Sequence, residues 1–291
     1  MSRRNKGNVI PDNDTLKQFI PNTLVDVDNE QSLFDKILPF LKTSEKWLSD
    51  CFIGEESLQA ITSLSDEDDI RQLTQQVIVY DAFAKAIPHL DLILTPNGFG
   101  IVNNNNIFPA SKDRVDRLVA RLIDGRDQSL MLLQPRLQSL QTWYGTLQCM
   151  FFQATMLSNI NITLRFPRGN QPRWEQYLAL REAIIPVEDY FANQYLSYEQ
   201  LKQFRYLIQF SDYHDPLTKR ICETLQAIEV RILKSSEPTS AMYFEHTTLC
   251  DIVNAIRQNE SMYPLWHASD TAKLYNPPIF ENKKDSTGYW M

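Results

Sequence analysis

"WLSDCFIGEESLQAI" at residues 47–61 and "YFANQYLSYEQLKQF" at residues 190–204 align without a gap. Aromatic meets aromatic at Trp47 and Tyr190, and again at Phe52 and Tyr195. Apolar meets apolar at Leu48 and Phe191, at Ile53 and Leu196, and at Ile61 and Phe204. Leu58 matches Leu201, and Glu56 matches Glu199. The register continues upstream, where Phe34, Ile37, Leu41, Glu45 and Leu48 face Tyr177, Leu180, Ile184, Glu188 and Phe191. Both sets advance in steps of three and four, the spacing of one face of an amphipathic helix. Downstream, "LTQQVI" at 73–78 resembles "LTKRIC" at 217–222 after a one-residue shift. A register that survives two successive helices predicts an internal duplication.

Each copy then predicts the same order. An extended lead, "LKQFIP" (16–21) or "ITLRFP" (162–167), precedes a long helix with Pro39 or Pro186 inside its pattern. Proline there kinks a helix or marks its true start. A second helix follows. In the first copy Ser65 is the expected cap for "DEDDIRQL" (66–73), whose acids suit a helix start rather than a metal. A hairpin comes next: "DLILT", "PNG" and "FGIV" across 91–102 in copy one, "VRILK", "SSEPTS" and "AMYFEH" across 230–246 in copy two. Each leads into another helix, with Ser111 and Thr248 as expected caps.

The expected fold is mainly α with small β-hairpins, in two tandem pseudo-symmetric helical lobes. Residues 1–13 read as a flexible tail, 14–126 as the first lobe, 127–161 as a connecting helix and 162–262 as the second lobe. The connector contains "QTWYGTLQCMFFQATML" (141–157), whose few charges imply burial. Residues 263–291 alternate prolines, polar residues and isolated aromatics without helical period, so they read as an extended arm.

Composition narrows the function. In 291 residues, 43% are hydrophobic and 22% charged, as in globular proteins. The net charge of −7 argues against a general nucleic-acid binder, and only "MSRRNKGN" (1–8) is locally basic. No apolar stretch approaches the roughly 20 residues of a membrane helix. The four cysteines, Cys51, Cys149, Cys222 and Cys250, are scattered and read as reduced thiols.

Catalytic signatures are sparse. Gly98 and Gly100 form one G-x-G without the third glycine of a dinucleotide loop or the lysine of a phosphate loop. Pro96, Asn97 and Gly98 instead suit a tight turn, and the asparagines at 103–106 read as turn caps. The histidines are His89, His214, His246 and His267. His246 and Cys250 are four apart, but two ligands are too few for zinc. His214-Asp215 before a proline reads as a turn. No cofactor, metal or enzymatic activity is expected.

The stretch "LTPNGFGIVNNNNIFPASKDRVDRL" (94–118), with "WLSDCFIGEESL" (47–58), resembles an uncharacterised family from Bacteroidetes phages and prophages. The resemblance covers most of the chain and is strongest near residues 95–118. It carries no established activity, so no catalytic residue transfers. The "EKWLSDCFIG" segment (45–54), set among short helices, also looks like the ring-forming adaptor proteins beneath the portal of tailed phages. These resemblances imply a virion structural protein, a head–tail connector or neck subunit made in the bacterial cytoplasm. Its partners would be other copies of itself and the portal and tail proteins, with DNA passing nearby. The expected interface residues are Pro96, Asn97, Gly98 and Phe99 in the hairpin, and Tyr275, Pro277, Pro278, Ile279, Phe280, Tyr289 and Trp290 in the arm. The alternative is a cytosolic regulatory or scaffolding protein of a prophage.

Overall fold

The computed structural model describes residues 9–10, 12–20, 32–90, 92–95, 98–101 and 111–276. Among them the chain is mainly helical, and it divides into two compact units. Unit one holds residues 1–152 and 159–178, and unit two holds 153–158 and 179–291.

In unit one, α1 (Asn13–Phe19) is capped by Asp12, which accepts from the Thr15 N–H at 2.9 Å. Residues 16–19 of the expected extended lead are therefore helical, because Asp12 supplies the acceptor that the first turn of α1 needs. Helix α2 (Leu33–Leu48) buries Ile37, Leu41, Ser44 and Leu48 and carries Pro39 inside it. It runs into a five-residue π-turn, Ser49–Ile53. Gly54, at φ 90°, ends that turn and opens α3 (Glu55–Thr62). Helices α4 (Asp69–Leu90) and α5 (Lys112–Arg136) pack side by side. Between them, β1 (Leu92–Thr95) and β2 (Gly98–Ile101) pair antiparallel. The start of α4 is capped by Asp68, which accepts from the Ile70 N–H at 2.8 Å, while Ser65 offers only its carbonyl to the Asp68 N–H. Carboxylate beats hydroxyl here because it sits two residues before the free N–H group. Ser111 stands at the N-cap of α5 but its side chain makes no capping bond.

Residues 127–161 do not form one connecting helix. Asp127 lies inside α5, two short 3-10 turns follow, and then comes α6 (Leu147–Gln153). Pro135 near the end of α5 is consistent with that break. The expected burial holds only in part: Trp143, Cys149 and Phe152 are buried, whereas Tyr144, Leu147 and Met150 are exposed. The second expected lead is a 3-10 turn over Ile160–Arg165, opened by Asn159, whose side chain accepts from the Asn161 N–H.

Helix α7 (Arg173–Phe191) contributes to both units and contains Pro186. It too runs into a five-residue π-turn, Ala192–Leu196, closed by Ser197 at φ 69°. Then come α8 (Tyr198–Phe210) and α9 (Pro216–Lys234), and Asp215, read from the sequence only as part of a turn, caps the latter. The hairpin expected over 230–246 is absent. Residues 230–234 finish α9, and α10 (Pro238–Phe244) replaces the return strand. Pro238 presets the first helical turn, and no Gly or Asn is present to turn a ribbon. Helix α11 starts at His246, one turn before the sequence suggested, so Thr248 sits inside it and is not its cap.

The described part of the expected extended arm is also helical. Helices α12 (Pro264–His267) and α13 (Asp270–Tyr275) carry Trp266 and Ala272 into the core of unit two. Tyr263 and Trp266 are fully buried, and the Trp266 indole donates to the Tyr195 carbonyl at 2.7 Å. Of the aromatics read as isolated, Tyr263 and Trp266 are thus core anchors, at or on a short helix that lacks room for a periodic pattern.

Candidate functional site

The two π-turns occur at the offset that pairs Trp47 with Tyr190. In each, the closing N–H reaches back five residues: Gly54 to the Ser49 carbonyl at 2.9 Å, and Ser197 to the Ala192 carbonyl at 2.8 Å. In each, the closing residue then accepts the first bond of the next helix, from Leu58 or Leu201. The paired glutamates behave alike as well. Glu45 accepts from the Val9 N–H at 3.4 Å, and Glu188 accepts from the Met156 N–H at 2.5 Å. Burial raises the pKa of both, with the backbone donor pulling the other way in each case.

The hairpin is built on the far end of α4. Its register pairs Leu92 with Ile101, Ile93 with Gly100, Leu94 with Phe99 and Thr95 with Gly98. Gly98 is therefore the first residue of β2 and not a turn residue. Pro96 and Asn97 lie between the strands and outside the described residues, as do the asparagines at 103–106. The sheet has two strands, so neither outer edge is paired among the described residues. Such a ribbon is marginal in water by itself, and an unpaired edge is a template for another strand.

Within unit one, side chains of α2, α4, α5 and α7 form an ion cluster. Asp81 accepts from Ser44 Oγ at 2.6 Å, Lys85 Nζ at 2.5 Å and Arg126 Nη1 at 3.1 Å. Arg126 also pairs with Asp127 at 2.8 Å and Glu175 at 3.3 Å, and its guanidinium lies 5.3 Å from the centre of a Trp47 ring. Burial works against the Arg126 charge, but Asp127, Glu175 and Asp81 outweigh it and hold its pKa above the ordinary value. Burial likewise raises the Asp127 pKa despite Arg126 beside it. Asp127 Oδ2 also caps α7, accepting from the N–H groups of Arg173 at 2.5 Å and Trp174 at 3.3 Å. The cluster ties four elements together, and its charges are used on one another. Sequence reasoning missed it, because its members are spread from residue 44 to 175 with no spacing that marks them.

Unit two has its own buried charge. Glu188 accepts from Arg205 Nη2 at 2.5 Å and Nε at 2.7 Å. Glu229 on α9 is fully buried and faces Glu188, with no hydrogen-bond partner of ordinary geometry for either oxygen. Burial, then the Glu188 charge, push its pKa well up, so Glu229 keeps its proton to higher pH than an ordinary carboxyl.

His246 and Cys250 share one face of α11, with Sγ 3.5 Å from Nε2. Among the described residues no group of three or more metal-ligating side chains forms around them or elsewhere. All four cysteines are free thiols. Of the arm residues singled out, Tyr275 is half-buried: its hydroxyl donates to the Gln194 carbonyl at 2.7 Å and its ring lies 6.2 Å from that of Trp266. Pro277, Pro278, Ile279, Phe280, Tyr289 and Trp290 lie outside the described residues, and Phe99 is described only as backbone in β2.

Residues 18–149 match the model of a family of unknown function, DUF6712. The match covers less than half of the chain. It spans α2 to α5, the hairpin and the cluster around Asp81 and Arg126, and it stops before Glu175. No curated protein matches, and no solved structure does. No helix among the described residues is long and apolar enough to cross a membrane.

Proposed function

We propose that this chain is a virion structural protein, a head–tail connector or neck subunit that assembles into a ring. The observation that carries the reading is the two-stranded ribbon held at the end of α4, with both outer edges unpaired among the described residues. A strand from a neighbouring copy, or from a portal or tail protein, would complete its backbone pairing.

We also infer that the chain arose by duplication, from the matched π-turns and the matched glutamates. The inserts between the last two helices of each repeat have diverged. In unit one it is the hairpin. In unit two it is α10, which ends in Tyr243 and Phe244, 78% and 79% exposed. Two unlike contact surfaces on one chain suit a head-to-tail interface, the kind that closes into rings. Exposed aromatics are favoured anchors at such interfaces.

Native mass spectrometry of the purified chain, alone and mixed with portal protein, tests the reading. A ring-sized species is expected in at least one condition. It should disappear when residues 92–101 are replaced by a glycine-serine linker, while the thermal melt of the monomer persists. A monomer under every condition, together with absence of the chain from purified particles, would sink the proposal.

A further inference from the structure

Unit one carries two surfaces of opposite charge that do not neutralise each other. The first is on α5. Arg114, Arg117 and Arg121 are exposed, and at about 3.6 residues per turn they fall within about 60° of one another around the helix. Arg168 joins them through its pair with Asp124, one turn on from Arg121. Arg117 pairs with Asp113, while Arg114 and Arg121 form no ion pair among the described residues. Leu118, four residues from Arg114 and partly exposed, adds an apolar edge to this ridge.

The second surface is a cleft of about 480 Å³ between the start of α3 and residues 142–148. Asp50, Glu55 and Glu56 line it, and among the described residues no basic side chain does. Asp50 pairs with Lys46, but Glu55 and Glu56 form no ion pair among the described residues. Tyr144 and Leu147 line the same cleft, and both are exposed. Carboxylates beside an apolar ledge suit arginine. Its methylene stem covers apolar surface, and its planar head forks a carboxylate or stacks on a ring.

We propose that the arginine ridge of one copy docks in the acidic cleft of a second copy. The pairing rests on the ring reading and names the surfaces that meet. Charge selects the occupant: the chain carries a net −7, so the cationic ridge of one copy is drawn to the anionic surface of another. Apolar contact selects protein over nucleic acid, because Leu118 would meet Leu147, which a phosphate backbone cannot offer. The ridge also lies where the ribbon is. Asp69 pairs with Arg136 and Asp81 with Arg126, so α4 and α5 run antiparallel. The first turns of α5 therefore lie at the end of α4 that carries the ribbon. Ridge and ribbon thus reach the same neighbour. Each copy gives its ridge to one neighbour and its cleft to the other, which is a head-to-tail contact.

The test is native mass spectrometry of the full-length chain, in the condition that gives the assembly. Arg114→Glu with Arg121→Glu should raise the protein concentration needed for assembly roughly tenfold or more. Glu55→Arg with Glu56→Arg should do the same. A chain with all four changes should assemble near the native concentration, since its charges are exchanged rather than lost, and misfolding cannot produce such a rescue. If the cleft variant fails to fold, the ridge variant, altered only at exposed helix positions, still decides. Assembly of the ridge variant at the native concentration would overturn the pairing and leave the ring reading standing. So would a folded four-change chain that stays apart. Unchanged assembly together with weaker binding of a duplex oligonucleotide would assign the ridge to nucleic acid instead. A monomer in every condition, alone or with portal protein, would defeat the pairing and the ring reading together.

Discussion

Glu229 is a carboxyl that solvent cannot reach, set against a second carboxyl whose charge is already used by Arg205. A proton on Glu229 relieves the repulsion. Its pKa in the folded chain lies above the unfolded value, so the folded state keeps a proton that the unfolded state releases. The resulting stability is fully present below the ordinary carboxylate range. It is lost as pH rises through the raised value of the pair. Glu229→Gln keeps the shape and the neutral form. At neutral to alkaline pH it should raise Tm by roughly 2–4 °C, the effect of about 1 kcal/mol in a large domain. It should also flatten the decline of Tm with increasing pH. Arg205→Met should act the other way, because it strands the Glu188 charge; a loss of roughly 3–5 kcal/mol is expected from breaking a buried pair. Calorimetric melts from pH 5 to 9 check both. A Glu229→Gln melt that tracks the native curve at every pH would show that the acid is not held neutral.

At the scale of elements, the two π-turns solve one geometric problem with different residues. Each must end on a residue with positive φ and extended ψ, a region that side chains rarely occupy. Gly54 adopts it freely, whereas Ser197, at φ 69° and ψ 155°, is strained. Ser197 recovers part of that cost, since its Oγ accepts from the Gln200 N–H at 3.3 Å. Exchanging a serine cap for glycine costs only a few tenths of a kcal/mol. Ser197→Gly should therefore stabilise unit two by about 1 kcal/mol, the strain relieved less the cap lost. The converse change, Gly54→Ser, should destabilise by roughly 1–3 kcal/mol. A Cβ there would also meet Gln148 Oε1 and Thr146 Cγ2, both at 3.1 Å. Urea melts of both variants test the sign, and a destabilised Ser197→Gly would refute the strain argument. The helices on either side of these turns were legible in the sequence, because their buried positions recur every three or four residues. The π-turns themselves were not, since one extra residue in a helix leaves no mark on composition. Hydrophobic runs also misled where length and caps decided the outcome. Residues 230–234 read as a strand, yet they are the last turn of a helix that begins at Pro216. Of the candidate site, the hairpin residues and the His246–Cys250 spacing were visible, while the Asp81–Arg126 cluster was not.

The whole molecule poses the question of what folds by itself. The family match ends at residue 149, but the core of unit one does not. Trp174 and Tyr177, at the start of α7, are buried in it. Trp174 lies 5.5 Å from Phe52 and 6.4 Å from Phe152, and Tyr177 lies 6.0 Å from Phe152, ring centre to ring centre. A cut at residue 149 removes three buried rings, Phe152, Trp174 and Tyr177, from a packed aromatic core, and each large aromatic lost costs roughly 3–5 kcal/mol. The same cut removes Glu175 and the N–H groups that Asp127 caps, which leaves a buried carboxylate with less to satisfy it. Marginal stability of about 5–15 kcal/mol does not survive losses of that size. A fragment of residues 1–178 should therefore melt cooperatively, with the tryptophan fluorescence of a buried core. A fragment of residues 1–149 should show a broad, non-cooperative transition. Circular dichroism melts of the two fragments, side by side, decide it. A sharp melt for 1–149 would mean that the family's unit is complete without α7, and that the rings of Trp174 and Tyr177 cover a core already closed.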